Sequence, residues 1–335
     1  VGSGAQAAAA PVRRLAELLQ APVVSFRGGR GVVSNEHPLG FTCAEGFSVW
    51  ADTDVVVGIG SRMELAWFRW GPRPAGQTTV LVDIDPQQHV RLAPEISLVT
   101  DAAVGATALA DALVADGIVH PDRTALLGAA RQGVRDRVAR LQPHVGHLGA
   151  IRAALPPDGR IVEEISQVGF TSLFGIDVYE PRTFITCGHQ GTLGFGFPTS
   201  LGVKAADPRR AVVSINGDGG FMFGVQELAT AVQYRLPVVA VVFDNDSFGN
   251  VLNDQRRLYD RPIDSELRNP DFVALARSFG ARGARARTPD ELGRAVAEAI
   301  DSDEPTVIHV PMPLDPAATP WPFLMPPAPA QPAKD

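Results

Sequence analysis

The sequence predicts an α/β protein with two doubly wound, parallel-sheet domains. Short continuous apolar runs alternate along the chain with amphipathic helical patterns, which is typical of strands buried on both faces of a parallel sheet. A length of 335 residues fits two domains, and a hydrophobic content of 45% is enough for two cores. The Pro- and Gly-containing segment 142–146 predicts the linker, so we expect domains over 1–142 and 147–312 and a Pro-rich tail over 313–335.

The first predicted domain alternates helix and strand patterns. Apolar side chains at helical spacing indicate amphipathic helices, and unbroken apolar runs indicate buried strands. In chain order the predicted elements are a helix over 7–19, strands over 22–25, 54–60 and 79–84, and helices over 102–115 and 124–141.

The second predicted domain shows the same alternation. In chain order its predicted elements are a helix over 147–155, strands over 160–163 and 211–215, a helix over 221–234, and strands over 238–243 and 306–310. A right-handed crossover makes the strands at 211–215 and 238–243 parallel. Their carboxyl ends are therefore expected at one edge of the sheet, where such folds bind ligands.

Residues that could bind a metal ion or a phosphate group follow both of these strands. The first is succeeded by Gly217-Asp218-Gly219-Gly220, and the second by Asn245, which lies 27 positions after Asp218. Glycines let backbone N–H groups approach phosphate oxygens, and a following helix aims its positive end at them. A carboxylate, an amide oxygen and a backbone carbonyl suit Mg²⁺ that keeps diphosphate oxygens as further ligands. The simpler interpretation is a tight turn followed by an Asx-capped loop.

This pair of motifs resembles the diphosphate-binding signature of thiamine-diphosphate (ThDP) enzymes, in the group that includes acetolactate synthase, benzoylformate decarboxylase and 2-hydroxyacyl-CoA lyase. The resemblance implies that Asp218 and Asn245 bind Mg²⁺ through their side chains and that Ser247 does so through its carbonyl. It also implies a set of residues along the diphosphate: Gly217, Gly219, Gly220, Phe248, Gly249 and Asn250. Asp244 stands where the family pattern has the first Asn of an Asn-Asn pair.

A second glycine-rich segment, 188–198, resembles the loop that holds the aminopyrimidine half of ThDP in this family. The resemblance implies that the Gly191 carbonyl accepts from the cofactor's amino group and that Leu193 enforces its bent V conformation. Ser166 and Gln167 align with a loop that contacts the diphosphate from the other side. The alternatives are an ordinary core position for Leu193 and a plain strand-to-helix turn at Ser166 and Gln167.

His189 departs from the small residues that related enzymes carry in this loop. Imidazole titrates near neutral pH, so His189 is a candidate general acid or base beside the cofactor. A surface histidine that bonds to its own loop explains the position equally well.

The first residues suggest that a domain is missing. Gly2-Ser3-Gly4 is typical of a turn that follows a strand, and in the resembling enzymes such a turn opens the Rossmann-like middle domain. We therefore expect a fragment or one subunit of a split enzyme, whose pyrimidine-binding domain is supplied in cis or by a separate subunit. The family takes the Glu that activates the cofactor from that domain, usually across subunits, so we expect a homodimer or homotetramer.

The middle domain holds FAD in acetolactate synthases and ADP or CoA in the similar lyases, so either is a candidate ligand here. Residues 2–4 and 58–60 each provide a GxG sequence, but neither completes GxGxxG. Arg27, Arg30 and Arg62 are candidates for phosphate contacts, with solvated turns as the alternative.

Charge and cysteine usage exclude several other partners. A net charge of −7 and a pI near 5.5 argue against nucleic-acid or anionic-membrane partners. Two cysteines, Cys43 and Cys187, make neither a disulfide framework nor a metal cluster. No apolar run approaches the roughly 18 residues that a membrane span needs. We therefore expect a cytoplasmic location.

The resemblance implies a C–C bond lyase, decarboxylase or carboligase that acts on 2-oxo acids or 2-hydroxyacyl substrates. Acetolactate synthases carry an apolar Met and a Trp at the positions of Asn250 and Asp254, so acetolactate synthesis is disfavoured. The alternatives are a fragment of an FAD-containing acetolactate synthase large subunit, a non-catalytic remnant, and a nicotinamide- or flavin-linked oxidoreductase. The pair Asp218 and Asn245 favours ThDP chemistry over the last of these.

Overall fold

The computed structural model describes residues 1–327, which form two compact units. The first unit consists of Val1–Arg137, Asp177–Arg182 and the described residues from Trp321 onward. The second unit consists of Val138–Ile176 and Thr183–Pro320. All β-strand pairs within the sheets are parallel, so the predicted α/β class with parallel sheets is confirmed.

The first unit contains a two-stranded and a three-stranded sheet, in the orders β1-β2 and β3-β4-β5. Its strands are β1 (Val23–Ser25), β2 (Gly40–Thr42), β3 (Val55–Ile59), β4 (Thr78–Asp83) and β5 (Ile96–Val99). Its helices are α1 (Ala9–Leu19), α2 (Cys43–Phe47), α3 (Pro86–Leu92), α4 (Ala102–Ala115) and α5 (Thr124–Val138). Adjacent residues of β4, Leu81 and Val82, are both fully buried and enter different hydrophobic clusters, as expected for a sheet covered on both faces.

The two glycine turns of the first unit pack against each other. The Gly2 amide donates to the Ile59 carbonyl at 3.3 Å, and the Gly4 amide donates to the Gly60 carbonyl at 3.1 Å. Gly60 has a φ of +53°, and a Cβ placed there would lie 2.5 Å from the carbonyl carbon of Gly4. Close backbone packing therefore accounts for these glycines without a nucleotide.

Protein side chains engage two of the arginines considered for phosphate contacts. Arg30 is fully buried and donates from Nη2 to Asn35 Oδ1 at 3.0 Å. Arg27 pairs with Glu64 at 2.9 Å. The burial of Arg30 excludes it from a solvent-accessible phosphate site, so that expectation is wrong for this residue.

The second unit is built on a six-stranded sheet in the order β10-β11-β9-β8-β6-β7. Its strands are β6 (Arg160–Glu163), β7 (Phe184–Thr186), β8 (Val212–Gly217), β9 (Val238–Asp244), β10 (Arg282–Arg285) and β11 (Thr306–Pro311). Its helices are α6 (His144–Ala154), α7 (Gln167–Gly175), α8 (Gly196–Ala206), α9 (Asp218–Met222), α10 (Leu228–Gln233), α11 (Gly249–Tyr259), α12 (Phe272–Ser278) and α13 (Pro289–Ser302). The strands β8 and β9 lie at the centre of this sheet and position the candidate site.

The structure adds detail at one predicted segment and contradicts another. The segment 142–146, predicted as the linker, contains the start of α6, with Pro143 as the N-cap, where a missing N–H costs no helical hydrogen bond. The predicted helix over 221–234 is broken into α9 and α10 by a 3₁₀ turn at Val225–Glu227. The break follows Gly224, where a Cβ would lie 2.6 Å from Pro198 Cγ, so the close approach of these two segments requires glycine.

The region predicted as a Pro-rich tail is partly structured. Its residues up to Pro320 belong to the second unit, and Trp321–Leu324 forms a short helix, α14, that contacts α2 in the first unit. Residues 328–335 of the predicted tail lie outside the described residues. Among the helices of residues 1–327, none combines the length and the apolar character needed to cross a membrane.

Candidate functional site

The site lies where β8 and β9 end. These strands pair in parallel with Gly217 opposite Phe243, so their carboxyl ends meet at one edge of the sheet. Asp218 follows β8 directly, and Asn245 follows β9 directly. The sheet topology therefore places both side chains where the sequence predicted them, at the ligand-binding edge of an open parallel sheet.

One backbone amide brings together the three residues predicted to hold a metal. The Ser247 N–H donates to Asp218 Oδ2 at 3.2 Å and to Asn245 Oδ1 at 3.1 Å. The Ser247 hydroxyl also donates to Asn245 Oδ1, at 2.8 Å. The turn depends on Asp246, whose φ of +54° is left-handed. Because two acceptor oxygens face the same donor, they converge on a small volume at the strand ends.

Two further residues, Asn269 and His309, join this hydrogen-bond network, although no sequence pattern marked them. Asn269 Nδ2 donates to Asp218 Oδ2 and to Asp244 Oδ1, each at 2.8 Å. On the neighbouring strand β11, His309 Nε2 is hydrogen-bonded to Asp244 Oδ2 at 2.8 Å. Asp244, the residue that departs from the family pattern, is thus held by a histidine on one side and by an amide on the other.

The two carboxyl groups have opposite pKa shifts. Burial raises the pKa of Asp218, and the adjacent Asp244 carboxyl raises it further. Burial also opposes ionisation of Asp244, but hydrogen bonds that include those with His309 and Asn269 outweigh it and lower the pKa of Asp244. A divalent cation beside Asp218 would favour its ionised form and offset the cost of burying a second negative charge.

The donor set suits a hard cation. Within residues 1–327 there is no group of three or more His, Cys, Asp or Glu side chains that could hold a metal ion. The converging acceptors are instead a carboxylate oxygen of Asp218 and the amide oxygen of Asn245. Mg²⁺ prefers such oxygens and keeps further positions for the oxygens of a bound phosphate. These residues therefore fit Mg²⁺ held jointly with a diphosphate.

Glycines pack the predicted diphosphate residues closely. A Cβ on Gly217 would lie 3.0 Å from Ser166 Cβ, and a Cβ on Gly219 would lie 2.5 Å from the ring of Phe248. Ser166 caps α7, since its hydroxyl accepts the Gly169 amide at 2.9 Å. These contacts bring the turn after β8 against the loops that start α7 and α11.

The first turns of α7 and α11 are tied by a side-chain hydrogen bond. Gln167 Nε2 donates to Asn250 Oδ1 at 2.6 Å, and Gly249 is the first residue of α11. The structure thereby joins Gln167 and Asn250, two residues that the sequence analysis placed at the diphosphate from opposite sides. An apolar side chain at position 250 could not accept this hydrogen bond.

Glu164 holds the predicted aminopyrimidine loop. Its Oε1 accepts the Gly194 amide at 2.5 Å, and its Oε2 accepts the Gly196 amide at 3.3 Å. Its carboxyl group also contacts the turn after β8, because a Cβ on Gly220 would overlap Glu164 Oε1. Glu164 is fully buried, and burial raises its pKa to about 7. No sequence pattern marked Glu164 as a site residue.

The rest of the loop is more open. Gly191 adopts a left-handed φ of +67°, which favours glycine. Leu193 is half-buried, whereas Phe197 at the start of α8 is 2% exposed. His189 is exposed, at the tip of the same loop. Gly191 and Leu193 therefore lie in a partly accessible stretch of the loop whose Gly194 and Gly196 amides donate to Glu164.

Two family models match the chain. The C-terminal TPP-binding domain of thiamine pyrophosphate enzymes matches residues 165–310, and the central domain of these enzymes matches residues 1–110. The first match includes the predicted metal and diphosphate residues, and Glu164 lies directly before it. Thiamine pyrophosphate and ThDP are two names for the same cofactor.

Curated relatives carry several activities. A probable 2-ketoarginine decarboxylase of Pseudomonas aeruginosa is 31% identical, over 92% of this chain and 56% of the relative. A probable acetolactate synthase large subunit of Methanocaldococcus jannaschii is 32% identical, over 89% of this chain and 54% of the relative. A 2-hydroxyacyl-CoA lyase of Oryza sativa subsp. japonica is 30% identical, over 89% of this chain and 55% of the relative.

The chain spans about half the length of these relatives. Both of its matched domains occur in the same family, and the motif that carries the resemblance lies in the cofactor-binding one. The chain therefore belongs to the thiamine pyrophosphate enzymes, of which it carries the central and the C-terminal, cofactor-binding domains.

Proposed function

We propose that this chain is the cofactor-binding part of a ThDP- and Mg²⁺-dependent lyase, decarboxylase or carboligase that acts on 2-oxo acids or 2-hydroxyacyl substrates. The observation that carries this proposal is the Ser247 amide, which donates to Asp218 and Asn245 at the ends of adjacent parallel strands. The match of residues 165–310 to the cofactor-binding domain supports it.

In this proposal the metal lies between Asp218, Asn245 and the Ser247 carbonyl, and the diphosphate lies along the neighbouring loops. The residues that would line the diphosphate are Ser166, Gln167, Gly217, Gly219, Gly220, Phe248, Gly249 and Asn250. When bound, ThDP supplies an electron sink for cleavage or formation of a C–C bond next to a carbonyl. The chain's own contribution is to hold the charged end of the cofactor and fix its orientation.

The loop anchored by Glu164 would hold the other half of the cofactor. We propose that the Gly191 carbonyl accepts from the aminopyrimidine and that Leu193 supports the bent conformation. His189 is a candidate for proton transfer to or from the reacting carbon, because it is exposed in the same loop and an imidazole side chain can donate or accept a proton.

A pyrimidine-binding domain, in cis or from a separate subunit, would complete this site. Large exposed apolar side chains support such a partner. In the described part of the second unit, every large hydrophobic residue that is clearly exposed falls between Met222 and Ile263, and Tyr259 is 74% exposed. The same segment contains the proposed metal ligands Asn245 and Ser247. We propose that this surface is buried in a homodimer, in a homotetramer or against the partner domain.

The polar character of positions 250 and 254 favours a substrate other than that of acetolactate synthase. Asn250 is bonded to Gln167, and Asp254 is exposed and pairs with Arg257 at 3.0 Å. The alternative is an FAD-containing acetolactate synthase large-subunit fragment, which the similarity to named acetolactate synthases supports.

An assay of the assembled enzyme separates these two proposals. The chain is combined with its pyrimidine-binding domain, and acetolactate formation from pyruvate is measured with and without FAD. We expect ThDP-dependent turnover of 2-oxo acids or 2-hydroxyacyl substrates that does not need FAD. Efficient acetolactate production that requires FAD would support the alternative.

A further inference from the structure

We propose that Asn269 is a positioning residue for the cation site and that it orients the carboxylate of Asp218. This inference rests on the proposed function, since it concerns the residue expected to supply the only anionic protein ligand of Mg²⁺. Asn269 lies outside both cofactor motifs, in the loop between α11 and α12.

The geometry uses both hydrogens of one amide group. A side-chain NH₂ has two donors, and those of Asn269 meet Asp218 Oδ2 and Asp244 Oδ1, each at 2.8 Å. Only the NH₂ group can face two carboxylate oxygens, so the orientation of the amide is fixed by its partners. Two buried carboxyl groups this close would otherwise repel each other, and the amide of Asn269 allows them to lie side by side.

Asp244 anchors this bridge. Its Oδ2 is bonded to His309 Nε2 at 2.8 Å, and its Oδ1 also accepts the Asp246 amide at 3.1 Å. The side chains of His309 and Asp244 are only 8% and 11% exposed. Both Asp244 oxygens therefore have protein partners, and Asp244 holds the far end of the Asn269 bridge in place.

The bridge is not needed to hold the strands together. Parallel pairing already fixes β8 against β9, with Gly217 opposite Phe243, and β9 against β11, with Asp244 opposite Pro311. The amide of Asn269 instead determines which way the Asp218 carboxylate points. Hydrogen bonds to metal-binding carboxylates commonly act in this way, and their loss costs about 10- to 100-fold in metal affinity.

The test measures the Mg²⁺ dependence of ThDP binding by calorimetry, with no need for turnover. For Asn269→Ala we expect the Mg²⁺ concentration at half-saturation to rise at least about tenfold. ThDP affinity without Mg²⁺ should stay unchanged. Arg268→Ala, an exposed neighbour in the same loop, is the matched control and should behave as wild type. Asn269→Ser keeps one donor and should give a smaller rise than the alanine variant.

Urea unfolding of each variant separates positioning from general destabilisation. If Asn269→Ala fails to fold, the Mg²⁺ dependence of Asn269→Ser alone is compared with that of the wild type. Wild-type Mg²⁺ dependence in a folded variant would overturn the inference and leave the proposed function standing. A parallel loss of ThDP affinity with and without Mg²⁺ would also overturn it, since that pattern indicates a structural role. If the wild-type chain binds ThDP with the same affinity with and without Mg²⁺, the proposed metal site itself is refuted.

Discussion

The Glu164 carboxyl accepts the Gly194 amide at 2.5 Å, and this contact links the end of β6 to the loop proposed to hold the aminopyrimidine. The same carboxyl group accepts the Gly196 amide and touches the backbone at Gly220. A buried acidic group therefore connects the two halves of the proposed cofactor site.

Replacement of Glu164 by Gln should change how stability depends on pH. Burial raises the pKa of Glu164 to about 7, above the ordinary value of 4.5, so folding favours the protonated acid. The stabilisation that protonated Glu164 gives the folded state is fully present below about pH 4.5 and is lost as pH rises through about pH 7. Between about pH 5 and pH 8 the wild type should lose about 2–3 kcal/mol of stability relative to Glu164→Gln.

Urea unfolding of both proteins at the two pH values checks this difference. The variant Glu298→Gln, at an exposed position of α13, is the control and should follow the wild type. Identical pH dependence in wild type and Glu164→Gln would show that Glu164 does not titrate in this range.

Gly220→Ala should destabilise the second unit. A Cβ at this position would overlap Glu164 Oε1, and the buried Glu164 has little room to move. We expect a loss of about 1–3 kcal/mol, as for other overpacked sites. Gly149→Ala in α6 is the matched control: no atom lies within 4 Å of its added Cβ, and alanine favours the helix by about 0.5–1 kcal/mol. Equal stability of the two variants in urea would contradict the packing described here.

Leu193→Ala should reduce turnover far more than it reduces ThDP affinity. The proposed role of Leu193 is to support the cofactor's reactive conformation, and misplacement of reacting groups by about 1 Å can cost about 100-fold in rate. Steady-state kinetics of the assembled enzyme and calorimetry with ThDP measure the two effects. Leu126→Ala, at an exposed position of α5, is the control. A wild-type turnover number for Leu193→Ala would assign the residue an ordinary packing role.

The exposed apolar segment between Met222 and Ile263 should mediate assembly. We expect a stable complex that buries on the order of 2,000 Å² or more, as obligate interfaces do. Leu258→Glu should weaken that complex in sedimentation experiments, because it places a charge on the buried surface. Val119→Glu, in the first unit and 88% exposed, should leave assembly unchanged. A wild-type chain that stays monomeric at micromolar concentration, with no co-purifying partner, would argue against this surface.

Local sequence predicted which side chains the sheet brings together. Glycine after one strand and Asn after its neighbour define positions that parallel pairing must bring to one edge, so Asp218 and Asn245 could be placed together from sequence, and the family resemblance added Ser247. Asn269 and His309 could not, because they reach the site through a long loop and a later strand. No local pattern marks such contacts.

The differences between prediction and structure have equally physical causes. Pro143 suggested a linker, but proline is also favourable at the entrance to a helix, and α6 begins at His144 within that segment. The helical pattern over 221–234 gave no sign that Gly224 must pack against Pro198, which breaks the helix. The short segment Asp177–Arg182 belongs to the first unit although second-unit residues flank it in sequence. These features depend on tertiary packing rather than on periodicity.

The most direct test of the central claim is ThDP binding by Asp218→Ala, measured by calorimetry with and without Mg²⁺. Asp218 would be the only anionic protein ligand of the cation, so its loss should abolish Mg²⁺-dependent binding, and Asn245→Ala should weaken that binding strongly. Asp301→Ala, at an exposed position of α13, should bind as the wild type does. Unchanged Mg²⁺-dependent affinity in Asp218→Ala would contradict the proposed cofactor site.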